Sequence, residues 1–256
     1  MTMTGFAPVT GDFAPVGSHA EWMRLARDSY QRLADAFAAL EPADWEQPTP
    51  CEGWTVRDLS GHLVGAMRSA ASLRETMSLQ RAVKKRAKRT GEQEVDAMTA
   101  IQVERAADLT PEQVVTELRT LVEPAVRGRS RMPGFVRRRA GMEVKVGSIE
   151  ERWDLDHLLG CILTRDAWLH RIDLADALDT APGLDDNDRR IVGDAAVEWA
   201  RRHGQPVELT LSGPAGGHLS SGRGGDAITI DAVEFCRIVS GRSSHDDPLL
   251  AQEVPF

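Results

Sequence analysis

Apolar residues recur at the spacing of an α-helix over much of the chain, which predicts a mainly α-helical protein. The first predicted helix runs from about His19 to Leu40. The segment 41–54 contains three prolines and ends this helix. Thr55 has Asp58 three residues after it, the arrangement of a capping box, and starts a second predicted helix that continues into the eighties of the numbering.

The middle of the chain predicts three more helices. Residues 95–124 form two of them, separated at Thr110 and Pro111, because a threonine cap followed by proline is typical of a helix start. Residues 149–179 have the most regular helical pattern in the chain. Their apolar stripe consists of Ile149, Trp153, Leu155, Leu159, Ile162, Leu163, Leu169 and Leu174.

The pattern changes in the last quarter of the chain. A further helix is predicted from Asp185 or Asp186 to about His203. After it, residues 206–213 alternate between apolar and polar side chains as in a strand, and residues 227–230 form a second short strand. Asp231 is the expected N-cap of a last short helix.

These elements divide the sequence into three consecutive parts. Residues 1–18 are predicted to be an irregular lead-in, residues 19–204 a helical domain, and residues 205–256 a small α+β domain. The predicted fold class is therefore mainly α with a small C-terminal α+β domain.

The composition narrows the classes of function. The formal net charge of −8 means that nucleic acid is not an expected partner. No apolar run approaches the length of about 18 residues that a membrane helix needs, and the N-terminal residues lack the pattern of a secretion signal, so a cytoplasmic protein without a membrane partner is expected. Cys51, Cys161 and Cys236 are far apart, which argues against a disulfide framework and a cysteine-based zinc site.

Two basic runs, residues 81–89 and 127–139, stand out against the acidic net charge. Charge runs are usually solvated, so both are predicted to be exposed helix ends or loops. The alternative is a positive rim that attracts an acidic substrate.

Asp166 and His170 are the candidates for chemistry on the predicted helix 149–179. Residues four apart on a helix face the same way, so this carboxylate and this imidazole point at one spot, and Asp173 follows on the same stripe. Asp166 and His170 would supply two of the three protein ligands of a typical catalytic zinc site. The alternative is an ordinary salt bridge on a surface helix.

His62, on the second predicted helix, is the candidate third ligand, although a histidine between apolar neighbours can equally be a buried core residue. His157 competes with it. Nine residues before Asp166 on a continuous helix, His157 is expected on the opposite face.

Two segments resemble a known family. TPCEGWTVRDLSGHLVGAM (residues 49–67) and LTRDAWLHRIDLADAL (residues 163–178) are similar to the two metal-binding segments of the mycothiol-dependent maleylpyruvate isomerase family, a branch of the DinB-like four-helix-bundle proteins. The resemblance implies a divalent metal, zinc above all, held by His62, Asp166 and His170. Nickel, manganese and iron stay open, because two imidazoles and a carboxylate accept several metals.

The resemblance also implies roles for residues beside the metal. Asp173 is expected to hold an imidazole N–H, the alternative being a salt bridge to Arg171 or another neighbouring residue. Arg242 is the best match for an arginine that the family's small domain offers to the active-site cleft, with Arg223 as the other candidate. The alternative for both arginines is an ordinary surface position.

The implied activity is that of a metal-dependent enzyme that uses a low-molecular-weight thiol, mycothiol, in keeping with an actinobacterial source. A metal-bound thiolate attacks a small electrophile, which gives cis–trans isomerisation or S-transfer, while the arginine orients a substrate carboxylate. Two other classes stay open: a hydrolase that uses metal-bound hydroxide, and a metal-binding module without catalysis.

Overall fold

The computed structural model describes residues 8–146 and 149–256. They are mainly helical and group into two compact units whose segments alternate along the chain. The first unit comprises the described residues of Met1–Glu21, Met142–Trp153 and Gly183–Phe256, and the second comprises Trp22–Gly141 and Asp154–Pro182. The three consecutive parts expected from the sequence thus differ from the spatial grouping.

The second unit is built from helices. They are α1 (His19–Ala38, which starts in the first unit), α2 (Val56–Ala71), α3 (Leu73–Thr90), α4 (Glu94–Ala106), α5 (Pro111–Ser130), α6 (Gly134–Arg137), α7 (Leu155–His157) and α8 (Leu163–Ala177). A 3-10 helix spans Asp44–Glu46, and a π-helix spans Leu158–Ile162 between α7 and α8.

The helices of the second unit pack as a bundle around α2, and a small sheet is present in the first unit, so the predicted fold class is confirmed. Helix α2 packs against α5, α4 and α8, and α1 is joined to α5 by the ion pair of Arg27 with Glu123 at 2.6 Å. The bundle core consists of fully buried side chains, among them Leu25, Leu33, Leu59, Met67, Leu118 and Trp168. Their burial removes apolar surface from water and stabilises the bundle.

Two predicted helix starts are confirmed. Thr55 caps α2 and Thr110 caps α5, each in a capping box with the residue three positions on. The second predicted helix, however, stops at Ala71 instead of continuing. Ser72 adopts an extended backbone (φ −135°, ψ 119°), and its hydroxyl accepts a hydrogen bond from the backbone N–H of Glu75, which starts α3 as a separate helix.

The predicted helix 149–179 begins later than expected. Ile149–Asp154 is a strand, β3, in a two-stranded sheet with β2 (Gly141–Val146). The carboxylate of Asp154 accepts a hydrogen bond from the backbone N–H of His157 at 2.8 Å and caps the helical segment. The prediction was wrong here because Ile149 and Trp153, four positions apart, also fit the period-two pattern of a strand.

The first unit contains a four-stranded sheet in the order β1-β5-β4-β6. Its strands are β1 (Val9–Gly11), β4 (Val207–Ser212), β5 (Gly217–Ser221) and β6 (Asp226–Asp231). Strands β1 and β4 pair antiparallel with β5, and β6 pairs parallel with β4. Helices α9 (Asp186–His203) and α10 (Ala232–Val239) pack on this sheet, where Trp199 meets Phe235 edge to face.

The predicted lead-in is only partly irregular. Residues 1–7 lie outside the described residues, and Val9–Gly11 forms β1. Three residues are too few to show an alternating pattern, so no local signal predicted this strand. Among the described helices, none has the length and apolar character that crossing a membrane requires.

Candidate metal centre

Helices α2 and α8 bring His62, Asp166 and His170 together within the second unit. One potential ligand atom from each residue lies within 4.8 Å of the other two. Nε2 of His62 is 3.7 Å from Oδ2 of Asp166, and Nε2 of His170 is 3.4 Å from Oδ1 of the same carboxylate. The two imidazole rings meet edge to face with their centroids 5.0 Å apart. The carboxylate thus lies between two imidazole nitrogens.

The ring of His62 is buried and oriented by a glutamine. Its Nδ1 lies 2.9 Å from Oε1 of Gln102 on α4. Because a carbonyl oxygen only accepts, Nδ1 is the protonated nitrogen in this bond, which leaves a lone pair on Nε2. Nε2 is buried and makes no hydrogen bond of normal geometry to any described residue, so the structure contains a buried nitrogen lone pair directed at Asp166.

The ring of His170 is oriented in the same way by a carboxylate. Its Nδ1 lies 2.9 Å from Oδ2 of Asp173, whose side chain is fully buried. A carboxylate accepts the Nδ1 proton, so Nε2 is the nitrogen of His170 that can bind a metal once it has lost its own proton. The thiol of Cys51 donates to the same Asp173 oxygen at 3.4 Å and lies 3.9 Å from Nδ1 of His170.

These two hydrogen bonds test whether the residues suit a metal ion. Ligating histidines usually donate the remote ring N–H to an oxygen acceptor, which fixes the ring and its tautomer. Gln102 and Asp173 supply one such acceptor to each imidazole, and the two Nε2 atoms face the carboxylate of Asp166. Two imidazoles and one carboxylate are a donor set that divalent metals such as zinc accept, with positions left for a further ligand. The residues therefore fit the metal.

The contacts within this cluster shift the pKa values of Asp166 and His170. Burial alone would raise the pKa of Asp166, but the charge of His170 and the polar contacts with both imidazoles outweigh it and hold that pKa well below its ordinary value. For His170, burial lowers the pKa, yet the charge of Asp166 and the polar contacts with Asp166 and Asp173 raise it well above 6.5. Without a metal, the ionised form of Asp166 and the protonated form of His170 are therefore both favoured.

An aromatic side chain lies beside the two imidazoles. The ring of Trp54 lies 5.4 Å from that of His62 and 6.4 Å from that of His170, measured between centroids. Trp54 immediately precedes the cap of α2, and its carbonyl accepts from the backbone N–H of Thr49 at 2.9 Å, which closes the loop that also contains Cys51. This loop places an apolar ring and a thiol beside the two imidazoles.

Close packing between α2 and α4 sets the position of Gln102. A Cβ atom added to Gly65 would lie 2.6 Å from Cβ of Gln102, and one added to Gly61 would lie 3.3 Å from Cα of Val103. Only glycine leaves α4 room to approach this closely. The two glycines, four residues apart on α2, therefore let the amide of Gln102 reach His62.

Three other residues were singled out in the sequence. Arg242 follows α10 and Arg223 lies in the turn before β6, so both belong to the first unit, and their roles stay predictions. His157 is absent from the His62, Asp166 and His170 cluster. Its expected place on the opposite face assumed a continuous α-helix, whereas the π-helix separates His157 from Asp166.

Sequence reasoning missed Gln102 and Cys51. The sequence around Gln102 does not indicate its contact with His62, because the two residues are 40 positions apart. Cys51 stands inside the first of the two segments that resemble the family, but the sequence did not indicate its contact with Asp173.

Comparison with known proteins identifies a family and two solved structures that are similar to this chain. The model of the family described as mycothiol maleylpyruvate isomerase, N-terminal domain, matches residues 26–175. Among solved structures, a mycothiol-dependent maleylpyruvate isomerase aligns with a TM-score of 0.54 and 17% identity over 89% of this chain and 91% of that one. A histidine-to-alanine mutant of a mycothiol-dependent maleylpyruvate isomerase aligns with a TM-score of 0.53 and 16% identity over the same shares.

A more distant structural similarity, with a TM-score of 0.38 and 16% identity, links 66% of this chain to 95% of YfiT from Bacillus subtilis, described as a probable metal-dependent hydrolase. No curated protein sequence matches the chain. The two isomerase structures share the fold of this protein. Because the family model spans more than half of the chain, the protein belongs to the mycothiol maleylpyruvate isomerase N-terminal domain family.

Proposed function

We propose that the protein is a metal-dependent enzyme that uses a low-molecular-weight thiol, mycothiol, to act on a small electrophile. The observation that supports this most directly is that the Nε2 atoms of His62 and His170 both face the carboxylate of Asp166, while the remote nitrogen of each ring is bound to an oxygen acceptor. Membership of a family named for a mycothiol-dependent isomerase supports the thiol and the reaction class.

The residues of the chain have separate tasks in this proposal. His62, Asp166 and His170 hold the metal, while Gln102 and Asp173 keep the two rings in the ligating tautomer. A divalent metal held there stabilises the thiolate form of a thiol near neutral pH. Trp54 covers the two imidazoles with an apolar surface and limits the access of water to them.

The outcome for the substrate depends on the electrophile. Reversible addition of the thiol to a conjugated double bond gives cis–trans isomerisation, because rotation about the saturated bond precedes expulsion of the thiol. Departure of a different leaving group gives S-transfer. We propose Arg242 as the group that binds a substrate carboxylate, with Arg223 as the alternative.

Metal analysis of the purified protein tests the site. We expect wild type to contain about one equivalent of metal after zinc reconstitution, and His62→Gln and Asp166→Asn to contain much less. His218→Ala is the matched control, because His218 is an exposed histidine that contacts Glu208, far from the cluster in the sequence and in the other unit. Folded wild type that takes up no zinc would contradict the proposal.

An activity assay separates the reaction classes. We expect zinc-loaded wild type to consume mycothiol in the presence of an activated electrophile, or to isomerise a conjugated cis-dienoate only when mycothiol is present. Turnover that proceeds equally without any thiol would instead indicate a hydrolase. Stoichiometric zinc with neither activity would favour a metal-binding module.

A further inference from the structure

One arginine of the second basic run is buried, contrary to the solvated run that its sequence predicted. Arg127 and Arg131 are exposed as expected, but Arg129, near the end of α5, has only 1% of its surface exposed. An arginine is almost never buried without a specific set of partners. Its partners therefore indicate what it does.

The guanidinium of Arg129 binds the π-helix. Nε donates to the carbonyl oxygen of Leu159 at 2.7 Å, and Nη2 donates to that of Gly160 at 3.1 Å. Nη2 also donates to the hydroxyl of Thr164, which in turn donates to the carbonyl of Gly160 at 2.6 Å. At its other end, Nη1 donates to the hydroxyl of Tyr30 at 2.9 Å.

Among the described residues, the hydrogen-bond partners of the Arg129 guanidinium are carbonyl and hydroxyl oxygens, all of them uncharged. A buried cation without a carboxylate is costly unless its N–H groups are satisfied by well-placed acceptors. Two consecutive carbonyls of one helical turn provide such acceptors. The planar fork of an arginine can bridge two carbonyls at once, whereas the single ammonium of a lysine cannot reproduce that geometry.

The π-helix determines which way α8 faces. A π-turn accommodates one residue more than an α-turn, and each residue of an α-helix corresponds to a rotation of about 100°. If Leu158–Ile162 reverted to an α-helix, everything after it would rotate by about that angle relative to α7. Asp166 lies four residues after this segment, and His170 lies one turn further. Their direction toward His62 depends on the extra residue.

We infer that Arg129 is a positioning residue that holds the π-turn and thereby turns Asp166 and His170 toward His62. This inference rests on the proposed metal site for its functional meaning. Arg129 lies on a different helix from all three ligands, and none of its hydrogen bonds given above involves them. It acts through the backbone of the segment that leads into α8.

The experiment compares zinc affinity in Arg129→Met and Arg129→Lys with that in two controls. Tyr30→Phe removes the Nη1 acceptor but leaves both carbonyl bonds, and Leu118→Ala destabilises the same helix α5 from a fully buried position. We expect both Arg129 variants to lose about 10-fold or more in zinc affinity, as when an outer partner of a metal site is removed. Tyr30→Phe should retain wild-type affinity.

A rescue variant makes the inference specific. Deleting Gly160 from Arg129→Met removes the extra residue, so α7 and α8 can continue as one α-helix with Asp166 and His170 in their original direction. We expect this double variant to recover zinc affinity relative to Arg129→Met. A merely structural role for Arg129 predicts no recovery, because the deletion restores none of the lost hydrogen bonds.

Side-chain 15N NMR of the imidazoles in the metal-free protein gives a readout independent of zinc. We expect the His170 signals to shift in Arg129→Lys and to stay in place in Tyr30→Phe. If wild type binds no zinc, the proposed metal site fails while this measurement still decides the role of Arg129. Unchanged His170 signals in folded Arg129→Lys, or a zinc loss no larger than in Leu118→Ala, would overturn the inference.

Discussion

Nδ1 of His62 lies 2.9 Å from Oε1 of Gln102, a bond that connects two helices and fixes which nitrogen of the imidazole can bind a metal. Neither residue is exposed, and the glycine at position 65 provides the space in which the glutamine lies. The tautomer of His62 is therefore set by the packing of α2 against α4.

Replacing Gln102 with leucine should weaken zinc binding. The variant keeps the approximate volume of the side chain but removes the acceptor for the Nδ1 proton, so His62 can adopt either tautomer. We expect a loss of about 10- to 100-fold in zinc affinity, measured by competition with a chromophoric chelator. Gln31→Leu, on the exposed face of α1, is the control and should bind zinc as wild type does.

Replacing Asp173 tests the partner of the other imidazole. Asp173→Ala removes the acceptor that His170 uses and also the acceptor of the Cys51 thiol. We expect zinc affinity to fall by about 10- to 100-fold, with Asp173→Asn between the alanine variant and wild type because its amide oxygen still accepts. Wild-type affinity in Asp173→Ala would show that the carboxylate does not support the metal site.

Zinc affinity should rise with pH around neutrality. The pKa of His170 is held well above 6.5, so in the metal-free protein His170 is protonated near neutral pH and zinc must displace that proton. As pH rises through this pKa, fewer molecules carry the proton and binding becomes tighter. Calorimetry in buffers of different ionisation enthalpy should detect proton release on zinc binding near neutral pH.

The Asp166→Asn variant tests whether Asp166 causes the raised pKa of His170, on which the expected pH dependence of zinc affinity rests. Removing the negative charge should lower the pKa of His170, which can be followed by NMR titration of the metal-free protein. A His170 titration that is the same in Asp166→Asn as in wild type would contradict the assignment of the raised pKa to Asp166.

The cap of α2 should contribute to stability. Thr55→Ala removes the hydroxyl that accepts the backbone N–H of Asp58, and we expect a loss of roughly 0.5–2 kcal/mol in the free energy of unfolding, measured with urea. The control is Thr120→Ala on α5, whose exposed hydroxyl bonds to the carbonyl of Glu117 within the same helix and should matter little. Equal stability losses in the two variants would argue against the capping role.

Local sequence signals predicted the parts of the fold that local physics determines. The caps at Thr55 and Thr110, the helix that ends before Gly204, and strands β4 and β6 all follow from side chains close in sequence, whereas β5 was not predicted. The break at Ser72 was missed because serine tolerates both a helix interior and a cap.

The parts that depend on distant contacts could not be predicted. Arg129 stands in a run of arginines that looks solvated, and only carbonyls that lie 30 and 31 residues away explain its burial. The π-helix itself could not be predicted, because Leu155, Leu159 and Ile162 also fit the spacing of an uninterrupted α-helix. For the candidate metal centre, helical spacing paired Asp166 with His170, whereas His62 was included through the family resemblance.

The pairing of β1 with β5 has a consequence for the order of folding during synthesis. Val9 pairs with Ser221, so this early strand waits for a partner that the ribosome makes more than two hundred residues later. The second unit is complete once Pro182 has been made, because it contains no later segment. The helical bundle can thus form while β1 is still unpaired, and the sheet of the first unit closes last.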